Sequence, residues 1–328
     1  MPLIQVTDLE KHFTITKRRH GVAGALKALI APERETVRAL DGVSFSVDPG
    51  EILGYIGPNG AGKSTTIKVL TGILTPTAGE ALVDGCRPYE NRQENAKKIG
   101  FVFGQRSRLW WLLPAYDSLE YTRSVYSIPD DVFKRNMQYC KETLGLGRLL
   151  DKPVRVLSLG ERMRVEIAMA MLHSPKILYL DEPTVGLDVV GKCELRDMIK
   201  NINRQYGITV ILATHDVMDI EKLCSRVIII DRGRLVWEGD LGALRKAKGN
   251  TRVIVVDFAS EVEPLQMPGL VPASTEGQKH VYEIDADTVD VDTVLQALAQ
   301  AGQVLDLSIA APDIEGVIRE IYTEGSLP

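Results

Sequence analysis

Cysteine is scarce in this chain and falls into no pattern. Cys86, Cys140, Cys193 and Cys224 include no C-x-x-C pair and build no disulfide framework of a short secreted protein, so reduced thiols in a cytoplasm are expected. Long hydrophobic runs are missing as well. The longest, such as VIII before Asp231, are strand-sized, well short of the roughly 20 apolar residues that cross a bilayer. The opening residues, MPLIQVTDLEKHF, lack a charged segment followed by an apolar one, so no secretory leader is expected, and any membrane work falls to another chain. An excess of positive charge is absent too: 44 acidic residues against 39 basic ones leave a net charge of −5, with no electrostatic footprint for nucleic acid. No sustained heptads and no basic tail occur. What remains is a chain of 328 residues, 45% hydrophobic, which can bury a full core and is expected to divide into one large and one small domain.

Short apolar runs bounded by Gly or Asp recur at GEILGYIG, KIGFVFG, KILYLDE, ITVILATH and RVIIID, with helix-like segments between them. That alternation predicts an α/β fold around a parallel sheet covered on both faces. LIQVTDL, GVSFSVD and EALVDG predict a small antiparallel layer beside it. From about 106 to 172 the text turns helical and charged, a helical subdomain inserted into the sheet domain. Beyond about 246 the runs TRVIVVDF, HVYEID and VLDLSIA read as strands and DVDTVLQALAQAG as a helix. In PDIEGVIREIY, Ile314, Val317, Ile318 and Ile321 fall at i, i+3, i+4 and i+7, one buried stripe of a last helix. The expected domains are thus 1–245, carrying the 106–172 subdomain, and a small α+β domain over 246–328.

The chemistry begins at GPNGAGKST. Gly57, Pro58, Asn59, Gly60, Ala61, Gly62, Lys63, Ser64 and Thr65 fit G-x-x-x-x-G-K-[ST], placed between a strand and the helix KSTTIKVLTGIL. Glycines there let a tight loop turn its backbone N–H groups onto phosphate oxygens, with Lys63 and Ser64 following. This is a nucleoside-triphosphate site, a ligand class shared by kinases, GTPases and many ATPases.

Four further stretches narrow it. KILYLDEPT sets Asp181 and Glu182 after a buried strand, Asp181 to share Mg²⁺ with Ser64 and Glu182 to polarise the attacking water. Two acids after a strand also make an ordinary solvated turn; beside a phosphate loop, metal ligand and base are the better reading. VLSLGERMR offers Ser158 and the backbone of Gly160 at a helix N-terminus, where an anion is favoured, and Ser158 with Glu161 also spells a capping box. ILATHD puts His215 after another buried strand, where an imidazole can hydrogen-bond a γ-phosphate or be merely structural or solvated, and FVFGQ ends a strand with Gln105, which can reach Mg²⁺ and water or stand as a surface amide.

The order GPNGAGKST, FGQ, LSLGE, LYLDEPTVGLD, ATH resembles the nucleotide-binding subunit of ATP-binding-cassette (ABC) transporters over about residues 3 to 245. The resemblance implies a P-loop ABC ATPase that binds ATP and Mg²⁺ and pairs with a second ATPase subunit, identical or closely related. Each ATP would touch the phosphate loop of one subunit and Ser158 and Gly160 of the other. Glu182 would be the general base, His215 the switch histidine, Asp188 in VGLD the link between sites, and Gln105 the link to a transmembrane permease. Phe13, in LEKHF, would stack on adenine, or else be a core aromatic of the antiparallel layer. The expected place is the cytoplasmic face of the membrane. The inserted segment and small C-terminal domain resemble ATPases of bacterial drug and polysaccharide exporters, so export is the implied direction. A soluble ABC ATPase working on ribosomes or DNA is the alternative.

Two departures from the family pattern stand out. LSLGE replaces the commoner LSGGQ, so Glu161 brings a negative charge that could pair with Arg162 or Arg164. An insertion over 16–38 offers a short amphipathic face with Lys17, Arg18, Arg19 and Lys27, suited either to anionic headgroups or to packing on the domain. Trp110 and Trp111, after Gln105, read as an interface hot spot for the permease or as core.

Overall fold

The computed structural model describes residues 1–16, 34–104, 107–246, 251–285, 288–310 and 314–324. Gln105, Arg106 and the middle of the insertion, 17–33, lie outside the described residues. The chain falls into two units, Met1–Glu238 and Gly239–Pro328.

In the first unit the alternating runs at the start form an antiparallel sheet in the order β2-β1-β4, with β1 at Ile4–Thr16, β2 at Arg34–Val47 and β4 at Ala78–Val83. The two edges of the insertion extend this ladder, since Thr16 pairs with Arg34 and Phe13 with Val37. Ile4, Val6, Leu9, Leu40, Val43, Phe45 and Val47 turn inward and bury against the main sheet. The main sheet has six strands in the order β5-β6-β7-β3-β8-β9: β3 at Ile52–Ile56, β5 at Ile99–Phe103, β6 at Ile177–Asp181, β7 at Thr209–Thr214, β8 at Arg226–Asp231 and β9 at Arg234–Asp240. The pairs β5–β6, β6–β7, β7–β3 and β3–β8 are parallel. β7 is buried along its whole length, as a central parallel strand covered on both faces must be, and this is why its sequence reads TVILAT with no alternation.

Ten α-helices are described: α1 at Lys63–Leu70, α2 at Arg92–Lys98, α3 at Ala115–Val125, α4 at Asp130–Thr143, α5 at Leu159–Met171, α6 at Val189–Tyr206, α7 at Val217–Leu223, α8 at Leu241–Lys246, α9 at Val291–Ala301 and α10 at Ile314–Glu324. No strand is described between 107 and 172, the helical stretch of the sequence. None of the described helices is long and apolar enough to cross a membrane. All four cysteines are free, and burial pushes the Cys140 thiol up to about 12, which leaves it without reactive thiolate.

The second unit holds an antiparallel sheet in the order β11-β12-β10-β13, formed by β10 at Thr251–Phe258, β11 at Leu270–Glu276, β12 at Lys279–Asp285 and β13 at Val304–Ala310. Ile254, Val256, Phe258, Tyr282 and Ile284 from the sheet close its core with Val294 and Leu298 of α9. The stripe Ile314, Val317, Ile318 and Ile321 on α10 is buried, as its spacing requires.

Candidate active site

Register builds the site. Ile56 at the end of β3 lies level with Thr214 at the end of β7, and Ala213 lies level with Asp181 at the end of β6. The residues that follow these strand ends, Gly57 onward, Glu182 and His215, therefore emerge in one row at the carboxyl edge of the sheet, where open α/β sheets place their ligands.

The phosphate loop closes a cleft of about 400 Å³ lined by Pro58, Asn59, Gly60, Gly62, Lys63, Ser64, Thr65, Asp181 and Glu182. Gly62 caps α1 with φ 113°, a left-handed value, and a side chain there would meet the Ala39 carbonyl at 2.6 Å. Lys63 is buried to 6% exposure; its ammonium donates to the carbonyls of Gly57 and Pro58 and stands 3.7 Å from Glu182 Oε1. Burial pulls its pKa down, against the opposing pull of Glu182 and Asp181. Ser64 Oγ donates to Asp181 Oδ2 at 3.0 Å and also lies 3.3 Å from Oδ1. Burial raises the pKa of Asp181, with the Ser64 hydrogen bond opposing it and Glu182 adding to the rise. The charges of Lys63 and Lys68 also oppose the rise.

Glu182 takes φ 55°, a left-handed backbone that costs a non-glycine residue of the order of 1–3 kcal/mol. Its N–H donates to the Ala213 carbonyl at 2.8 Å, and Gly104 packs so closely behind it that a Cβ on Gly104 would sit 1.9 Å from the Glu182 carbonyl oxygen. The strained turn is thus held from two sides, and it aims the carboxylate into the cleft. His215 Nδ1 lies 2.8 Å from Glu182 Oε1, which makes Nδ1 the donor because a carboxylate only accepts. Behind them Asp219, fully buried, accepts from Thr184 Oγ1 and from Arg196 Nε, tying the turn after Glu182 to α7 and α6.

Ser158, Gly160 and Asp188 line a different concavity, of about 370 Å³, with Leu159 and Gly186. Ser158 caps α5 and forms the capping box: its Oγ accepts from the Glu161 N–H at 3.1 Å, and its own N–H donates to Glu161 Oε2 at 2.8 Å. Glu161 therefore does not pair with Arg162 or Arg164. Arg164 pairs with Glu194, Arg162 lies 5.5 Å over the Trp111 ring, and Glu161 has Lys152 at 3.8 Å. Asp188 caps α6 by accepting from the Gly191 N–H. Phe13 is 37% exposed, not core; it stands opposite Val37, with Lys11 Nζ 5.3 Å from its ring centre, and is not among the residues lining the phosphate cleft. Gln105 lies outside the described residues. The cleft also takes Lys68, Phe103 and Gly104, to which no role attaches from sequence. Lys68 follows Ser64 by one helical turn and was readable from that spacing; Gly104, adjoining FVF, owes its place to a contact only the fold reveals.

A family model described as "ABC transporter" matches residues 40–185. The chain is 30% identical over 216 residues to the ABC transporter ATP-binding protein NatA of Bacillus subtilis (strain 168), a match spanning 66% of this chain and 87% of NatA. It belongs to the ABC transporter ATP-binding proteins. This ABC ATPase is also 35% identical over 198 residues to the uncharacterized ABC transporter ATP-binding protein YhcH of B. subtilis (strain 168), and 34% identical over 212 residues to the methionine import ATP-binding protein MetN of Carboxydothermus hydrogenoformans. Those matches cover 60% and 63% of this chain, and 63% of the length of each relative. Among solved structures, cbiO1 from Clostridium perfringens, part of the complex cbiONQ, aligns with TM-score 0.61 and 27% identity over 75% of this chain and 94% of its own. The ATP-binding cassette MJ0796, a dimer in a post-hydrolysis state with ADP and Pi, aligns with TM-score 0.60 and 26% identity over 73% and 98%.

Proposed function

We propose that this ABC ATPase binds Mg-ATP in the phosphate-loop cleft, closes as a dimer around two nucleotides, and drives conformational change in a separate transmembrane permease at the cytoplasmic face of a membrane. The observation that carries the reading is the row of strand ends that brings Lys63, Ser64, Asp181, Glu182 and His215 around one cleft while Ser158, Gly160 and Asp188 sit on another. The two concavities share no lining residue, and a second copy can present the Ser158 surface to the nucleotide held by the first. The dimeric MJ0796 cassette supports that arrangement.

Mg²⁺ fits the residues present. Among the described residues no three His, Cys, Asp or Glu side chains form a metal cage. Magnesium in phosphoryl-transfer sites is held instead by one or two protein oxygens with the phosphates, and the adjoining Ser64 hydroxyl and Asp181 carboxylate would supply them. When bound there it neutralises charge on the β/γ-phosphate oxygens. Lys63 adds a positive charge opposite those oxygens, and Glu182 orients and deprotonates the attacking water, with His215 holding the carboxylate.

Trp110 and Trp111 are 40% and 52% exposed, beside Leu112 at 70%, so the pair is available to a partner and not spent in the core. We place the permease contact there; cbiO1, a subunit of cbiONQ, is a relative that works inside such a complex. Export is the direction proposed, on the resemblance of the insertion and the C-terminal domain. The import in MetN's name is the competing direction, and transport into inverted vesicles separates the two.

The dimer is tested by light scattering. A slow-hydrolysing Glu182→Gln chain is expected to double its mass on adding ATP and to stay monomeric with ADP; a mass unchanged by ATP contradicts closure. Phe13→Ala is expected to weaken ATP binding by roughly two- to tenfold, the worth of about 0.5–1.5 kcal/mol of stacking, and titration with a fluorescent ATP analogue checks it.

A further inference from the structure

Glu166 lies on α5, eight positions after Ser158, and is 2% exposed. A charged side chain at that depth stays only where donors meet it. The donors come from the segment that follows the phosphate cleft: Ser107 Oγ at 2.6 Å and the Arg108 N–H at 2.8 Å both reach Glu166 Oε1. Arg108 adds its guanidinium, with Nε 3.7 Å from Glu166 Oε2 and Nη2 donating at 2.6 Å to the Phe101 carbonyl on β5. One carboxylate thereby fastens α5 both to β5 and to the stretch leaving it.

What it fastens matters. β5 ends at Phe103, and Phe103 and Gly104 are walls of the phosphate cleft. Gly104 donates its N–H to the Asp181 carbonyl at 2.7 Å and backs the strained Glu182 turn. A small cavity of about 90 Å³ brings Phe103, Gly104 and Ser107 together with Leu159 and Glu166, so the two regions meet at this point. At its other end α5 presents Ser158 to the second concavity.

We propose that Glu166 is a positioning residue for ATP hydrolysis, holding helix α5 and the wall behind Glu182 as one rigid body. It touches neither nucleotide nor water. Its loss lets the Glu182 turn and the Ser158 surface lose their fixed relation, while the phosphate loop, on β3 and α1, keeps its grip on ATP. The inference rests on the ATPase reading above.

The test compares steady-state hydrolysis by the full chain and by E166A, E166Q and S107A at varied Mg-ATP. Expected for E166A is a kcat lower by about tenfold with a KM within about twofold of wild type, the pattern of a contact that acts on the reacting geometry and not on binding. E166Q keeps an oxygen that accepts from both Ser107 and Arg108, so it should restore most of the rate; S107A, which removes one donor at an exposed position, should fall between. Should E166A fail to fold, S107A and E166Q decide. Wild-type kcat in E166A or S107A, or a rise in KM matching the fall in kcat, overturns the proposal. A wild-type chain that hydrolyses no ATP fails the ATPase reading itself, which is a separate result.

Discussion

Replacing Glu182 with Gln is expected to lower ATP turnover by about 10²- to 10⁴-fold, the usual contribution of a positioned general base. The amide keeps the volume of the side chain, and its oxygen still accepts from His215 Nδ1, which lies 2.8 Å from the native carboxylate. The turn also keeps its backbone hold, since the Glu182 N–H bond to Ala213 and the packing of Gly104 involve no side-chain atom. Only the proton acceptor is removed. Binding of ATP should be unchanged or tighter, because a negative charge 3.7 Å from Lys63 no longer competes with the phosphates for it. Hydrolysis is measured by phosphate release and binding by equilibrium titration. Near-normal phosphate release would remove Glu182 from the role of base.

Lys63→Ala should act on the other quantity. Its ammonium is pre-set by the Gly57 and Pro58 carbonyls and lies in the cleft near Glu182. A hydrogen bond to a charged group is worth about 1.5–3 kcal/mol, so ATP affinity should fall by roughly 10- to 100-fold. The true loss lies toward the upper end, since Asp181 and Glu182 then face the phosphates with no cation of the protein between them. Lys63→Arg is not expected to rescue, because the planar guanidinium cannot replace a compact ammonium packed to 6% exposure. ATP affinity equal to wild type in a folded Lys63→Ala chain would undercut the phosphate-loop assignment.

The strands of the cassette and the candidate site residues at their ends were legible for a common reason. Central parallel strands are buried on both faces, so ILYLD, TVILAT and RVIIID stand out as unbroken apolar runs, and the chemistry follows directly where they stop. Edges are harder. β9, RLVWEGD, is half-exposed and carries Gly239, and β11, LVPASTE, buries only Leu270 and contains Pro272, so neither shows a clean period. Helix α1 follows the apolar spacing expected of it except at Ile73, which falls after the Gly72 turn and is 52% exposed. The capping box of Ser158 and Glu161 was legible from its spacing and satisfies two helix-end groups at once; that the nearby cation is Lys152, and neither Arg162 nor Arg164, was not. Glu166 gave no signal at all. In ERMRVEIAMAM it looks like one more polar position of a helix, and only the fold shows that it points inward, to Ser107 and Arg108.

The most direct test of the central claim is to tag the chain in its native cell, isolate membranes, solubilise them gently and identify what co-purifies in stoichiometric amount. A polytopic membrane protein is expected, one whose presence changes the rate of ATP hydrolysis and whose retention is lost on replacing Trp110 and Trp111. Recovery from the soluble fraction alone, with ribosomal or DNA-processing proteins as its companions, would contradict transport and leave the ATP chemistry of Lys63, Ser64, Asp181 and Glu182 standing.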